Sequence, residues 1–218
     1  NTSNTVQTVV YTVTPISGTC SGATFTVTVT VNPTPTVTAQ AATICSGNAF
    51  SVAPSNGSGN IVPTGTTYSW SAPAAITGIS GLAAGTAQTT IGGTLTNTTA
   101  APINVTYVVT PTSGSCVGAS FNVVVTVNPR PAITNMTATI CSGTAFNAAP
   151  VNVTNGVVPT GTTYTWTVAA NANVTGETAN ATAANNVSQT LNNTTVNAEV
   201  VTYTVTPTAN TCAGATFT

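Results

Sequence analysis

The sequence predicts an all-β chain of tandem β-sandwich modules, on three observations. The first is a repeat of 96 residues, written without one insertion or deletion. Tyr11-Thr-Val-Thr-Pro15 returns as Tyr107-Val-Val-Thr-Pro111 and again as Tyr203-Thr-Val-Thr-Pro207. Cys20, Cys116 and Cys212 keep the same spacing, as do Phe25, Phe121 and Phe217, and Ile44-Cys-Ser-Gly47 maps onto Ile140-Cys-Ser-Gly143. Such a period is too long for a solenoid turn and fits a whole small domain. The second observation is strict alternation of apolar and polar residues wherever a strand is suggested. The third is enrichment in β-branched residues with no amphipathic helical run.

The elements follow in order. Val9, Tyr11 and Val13 form one apolar stripe, and in Phe25–Val31 every odd position is apolar and every even one Thr. Strands of this kind bury one face and wet the other. Pro33-Thr34-Pro35 then makes a short stiff joint. A strand is predicted near 49–53 and another near 66–71, with a Gly- and Pro-containing loop at 55–65 between them, repeated at 151–161. Trp70, with Trp166 as its repeat, is the expected core aromatic of the second strand, and Tyr68 shares its face. Val105, Tyr107 and Val109 restate the first stripe, and Phe121–Val127 the second. Pro129-Arg130-Pro131 is the next joint. About seven short strands per repeat indicate a sandwich of immunoglobulin-like type.

The phase of the repeat divides the chain into residues 1–33, the last two strands of one module; 34–129, a complete module; and 130–218, a module that stops where its last strand begins. Neither partial piece closes a core alone, since a two-stranded hairpin is marginal. The expected core aromatics are Trp70, Trp166, Tyr11, Tyr107, Tyr203, Phe25 and Phe121. The chain starts at Asn1 without Met, and both ends read as cut from a longer array.

Charge excludes most chemistry. Only Arg130, Glu177 and Glu199 carry formal side-chain charge, and there is no Lys, His or Asp. General acid–base catalysis, an activated Ser nucleophile, and zinc or calcium ligation all draw on the missing types. One Arg is no nucleic-acid surface, and no apolar run approaches the ~20 residues of a membrane helix. The reading is of a chain with no catalytic residue, metal or cofactor. Stability nearly indifferent to salt and to mid-range pH is expected.

Five cysteines at modular positions suggest disulfides: Cys20, Cys45, Cys116, Cys141 and Cys212. Pairing within a module gives Cys45–Cys116 and Cys141–Cys212. Against it, the turn after Ile44 and the hairpin at Cys116 lie at opposite poles of an immunoglobulin topology, and a bond needs Cα atoms within ~7 Å. Pairing between modules gives Cys45 to Cys20 or Cys212, one lock per joint. Free thiols are the third alternative. Without Lys, an isopeptide cross-link is excluded.

The block Ile44-Cys-Ser-Gly47, Thr67-Tyr-Ser-Trp70, Tyr107-Val-Val-Thr-Pro111, Cys116 and Val123–Pro129 resembles the PKD-like and immunoglobulin-like tandem repeats of giant Bacteroidota surface proteins, such as gliding-motility adhesins of the SprB type. The resemblance implies type IX secretion and an extracellular, cell-surface location. Trp70 is followed by Ser-Ala-Pro in place of the acidic PKD signature. The expected function is a stalk whose partners are adjacent modules of the same long chain and other surface-filament chains. Two alternatives are a filament subunit completed by strand exchange and a carbohydrate- or ice-binding module, the latter on the Thr26, Thr28 and Thr30 face or on Trp70 and Tyr68.

Overall fold

The computed structural model describes all residues, 1–218, and every regular element in it is a strand. Strands β1 (Gln7–Val13) and β2 (Phe25–Val31) pair with each other and with nothing else. Then come β3 (Gln40–Cys45), β4 (Ala49–Val52), β5 (Thr67–Trp70), β6 (Gly85–Gln88), β7 (Ile91–Thr94), β8 (Ile103–Ser113) and β9 (Phe121–Asn128). One layer has the order β3-β9-β8-β5-β6, with β3 parallel to β9 and the other pairs antiparallel; β4 and β7 form the second layer.

The alternation read from the sequence sets which residues meet between these layers. Val105, Tyr107 and Val109 of β8 and Phe121, Val123, Val125 and Val127 of β9 are buried with Tyr68, Trp70, Phe50, Val52, Ile91 and Leu95. Tyr107 lies at the centre, its ring 5.4 Å from that of Phe50 and 6.5 Å, edge-on, from that of Trp70. These tilted and edge-on contacts avoid the face-to-face arrangement that the quadrupoles of the rings disfavour. Pro111 sits within the central strand because the ladder is broken there: Val109 pairs Phe121, but Thr112 pairs Val117. Two residues of β8 thus oppose three, a bulge that asks no N–H of Pro111.

The next strands are β10 (Ala145–Ala148), β11 (Thr163–Ala169), β12 (Asn180–Ala184), β13 (Val187–Thr190) and β14 (Thr202–Ala209). They form the sheet β12-β11-β14 and the pair β10-β13 around a smaller core of Tyr164, Trp166, Val187, Val205 and Phe217. Tyr203 packs at its edge, partly buried, 5.3 Å from Phe146. Residues 134–141 form no strand, although their counterparts contribute β3. The ladder partner of β3 is β9, and its counterpart here consists of Phe217 and Thr218. These make the first bonds only, Met136 N–H to Thr218 O at 2.8 Å and an exchange between Phe217 and Val205.

Within residues 1–218, Tyr11 and Phe25 are 56% and 51% exposed, where Tyr107 and Phe121 are 2% and 6%. The β1–β2 hairpin has the same stripe but no second layer across it. Nor does every equivalent pair lie 96 apart. Trp70 pairs Gly85 and Trp166 pairs Asn180; the indole N–H groups of these Trp residues donate to Ala83 O and Thr178 O. The offset is 95 there and returns to 96 at Gln88 and Ala184, each opposite its Tyr. A deletion before Ile76 and Asn171 is thus offset by one extra residue in the β12 bulge, and the total length conceals both.

Candidate functional site at the module junction

The junction begins with the direction of β3. Because β3 runs parallel to β9, Cys45 ends opposite Asn128, and Ser46 N–H donates to Asn128 O at 2.8 Å. The Cys45 turn therefore lies where the chain leaves through Pro129-Arg130-Pro131. Its position is fixed from beneath. Buried Ser46 accepts the Asn97 N–H at 2.9 Å through Oγ and donates to Asn97 O at 3.0 Å, while Asn97 Nδ2 donates to Val127 O at 2.9 Å.

Cys116 lies at the other end of the sandwich, 12 positions before Asn128. At ~3.3 Å per residue that is up to about 40 Å, far beyond disulfide reach. The pairings Cys45–Cys116 and Cys141–Cys212 are accordingly not formed. Cys45 is bonded to Cys212, 167 residues away, with Cα atoms 5.5 Å apart. Cys20, Cys116 and Cys141 are free thiols here.

What carries Cys212 to Cys45 is the close packing of its hairpin on the linker. Gly214 lies so near Pro131 that a Cβ there would fall 2.2 Å from the Pro131 carbonyl oxygen. Gly214 N–H donates to Pro207 O at 2.8 Å, which closes the hairpin against β14. Cys212 is 1% exposed and Pro129 and Pro131 are fully buried, so the bond is enclosed by the joint.

Arg130, the one cationic side chain, spans this contact. Its Nε donates to Ser46 O at 2.8 Å and its Nη2 to Asn48 Oδ1 at 2.8 Å, both on the Cys45 turn. Its Nη1 donates to Ala213 O at 3.1 Å, beside Cys212. The planar guanidinium suits three acceptors held on two sides. Sequence reasoning noticed Arg130 only as a rare charge. Its place between two prolines of a joint was the available signal, and the recurring Cys-x-Gly of Cys116-Val-Gly118 and Cys212-Ala-Gly214 was the signal for the glycines.

The other charges gather elsewhere. Asn171 Nδ2 donates to Glu199 Oε2 at 3.1 Å and its N–H to Glu177 Oε1 at 3.4 Å. Hydrogen bonds from Asn171 and Asn173 hold the Glu199 carboxyl below its usual range. Burial pushes the hydroxyls of Tyr68, Tyr107, Tyr164 and Tyr203 upward. Trp70 and Tyr68 face the core, 8% and 2% exposed, so neither offers a ring to a sugar.

The PKD-like domain family matches three stretches of the chain, residues 1–35, 42–131 and 138–218. No curated protein matches it.

Proposed function

We propose that this chain, which belongs to the PKD-like domain family, is a non-catalytic stalk segment of an extracellular cell-surface adhesin or filament, spacing and supporting a binding tip. PKD-like domains are generally structural or binding modules without catalysis, and a disulfide accords with an oxidising, extracellular setting. The observation that carries the stalk reading is the Cys45–Cys212 bond, which joins two cores across their linker. A domain pair tied only through its linker bends freely; one tied at a second point beside the linker resists bending and separation. A gliding-type adhesin exported by the type IX route is the finer form of this reading, supported by the motif resemblance. Adjacent modules and neighbouring surface filaments are its partners.

Small-angle X-ray scattering on the oxidised chain over a concentration range tests it. A monomeric, elongated and salt-insensitive particle is expected, because so few charges are present to screen. A mass rising with concentration overturns the single-chain stalk in favour of a self-assembling filament.

A further inference from the structure

We infer that Cys116 and Cys141 are open halves of the same cross-link: each bonds a cysteine of a flanking copy of the repeat, Cys116 toward the N-terminal side and Cys141 toward the C-terminal side. The inference rests on the stalk reading, since it requires flanking copies, and adds a covalent partner and its register.

Both halves are prepared as the bonded pair is. The turn presenting Cys141 is fixed like that of Cys45, with Asn193 N–H donating to Ser142 Oγ at 3.0 Å and Gly143 N–H to Leu191 O at 2.8 Å, as Gly47 N–H does to Leu95 O. The hairpin presenting Cys116 pairs Ser113 with Cys116, as Ala209 pairs with Cys212. It also packs on its linker as the other does: a Cβ on Gly118 would fall 2.0 Å from Pro35 O.

The surroundings of Cys116 point to what completes it. At the second joint the Cys45 turn lies against Asn128 and Cys212. At the first, a cleft of about 430 Å³ is lined by Asn32 and Pro33, by Asn4–Val6, by Pro63 and Thr64, and by Ser113 and Gly114 of the Cys116 hairpin. Independently, the apolar face of β1 and β2 is bare where its counterpart in β8 and β9 is buried under the second layer, β4 and β7. A segment like 36–95 would cover that face and end its parallel strand beside Asn32, as β3 ends beside Asn128. The turn following that strand would then enter the cleft.

The bonded pair is 167 residues apart, and the same separation places the partner of Cys141 C-terminal to Thr218 and that of Cys116 N-terminal to Asn1. Each bond forms by exchange with a protein or small-molecule disulfide. Two thiols give up two protons and two electrons, and the oxidant leaves as two thiols.

The test is alkylation and non-reducing peptide mapping of the native protein as its gene encodes it, isolated without reductant. The expected result is that Cys116 and Cys141 escape alkylation and each occurs linked, within one chain, to a distinct peptide that is neither the Cys45 nor the Cys212 peptide. Alkylated Cys116 and Cys141 beside an intact Cys45–Cys212 link would overturn the inference while leaving the stalk reading standing. A Cys116–Cys45 link, or a bond between two chains seen as a doubled mass, would also overturn it. Failure of the stalk reading is seen separately, as concentration-dependent mass in scattering.

Discussion

Gly214 and Pro131 are in backbone contact, with no room for a methyl group between the Gly214 Cα and the Pro131 carbonyl oxygen. Gly118 and Pro35 make the same contact 96 residues earlier. The contact is what brings a hairpin cysteine to the turn of the other core. Gly214→Ala should therefore push the hairpin off the linker at a cost of about 1–3 kcal/mol, the usual range for overpacking. The check is thermal unfolding together with the rate at which Cys45–Cys212 re-forms after reduction; both should fall.

Arg130→Thr installs the residue found at the equivalent position of the first joint, Thr34. It removes the donors to Ser46 O, Asn48 Oδ1 and Ala213 O. The expected loss is about 2 kcal/mol, from charge-assisted hydrogen bonds made at a partly buried site. Denaturant unfolding before and after reduction measures it. The loss should be larger in the reduced protein, where only the packing of Gly214 on Pro131 remains to hold the joint.

Reduction of Cys45–Cys212 opens a loop of 167 residues. In the chain-entropy model the bond contributes about 5 kcal/mol relative to a state with both cores unfolded. Its removal should leave each core folded, with Trp70 and Trp166 fluorescence unchanged, while the scattering profile changes from a stiff to a hinged particle. Loss of Trp fluorescence on mild reduction would contradict the independence of the cores.

Equivalent residues should differ in energetic weight. Tyr107→Ala removes a ring packed between Phe50 and Trp70 and should cost about 3–5 kcal/mol. Tyr11→Ala, at the same repeat position but 56% exposed in the 218-residue chain, should cost that chain about 0.5 kcal/mol or less. Denaturant midpoints of the two variants decide this.

Stability against pH should be flat from about pH 5 to 9, because His, Asp and Lys are absent. The buried Tyr68, Tyr107, Tyr164 and Tyr203 hydroxyls titrate above their unfolded value near 10. Their contribution is fully present below about pH 10 and is lost as pH rises through the folded values. Glu199 is held low, so its small contribution is present above the unfolded carboxylate value and is lost as pH falls through the folded one. Glu199→Gln should abolish only the acid-side change in unfolding midpoint.

The sequence by itself determined the all-β class, the stripes of β8 and β9 that face the core, the places of Trp70, Tyr107 and Phe121 in it, and the opposite poles of Cys45 and Cys116. These depend on side chains two apart on one strand or on spacings that recur in the chain, and such local patterns are legible without coordinates. It left Cys45 with several partners, and it implied that Tyr11 and Phe25 would be buried because Tyr107 and Phe121 have the same neighbours in sequence. Tertiary structure decided those points. Burial depends on whether a second layer lies across the strand. A bond 167 residues long depends on which way β3 runs beside β9 and how closely Gly214 approaches Pro131. Both are relations between distant segments, set by sheet direction and steric contact, to which no local pattern of residues corresponds.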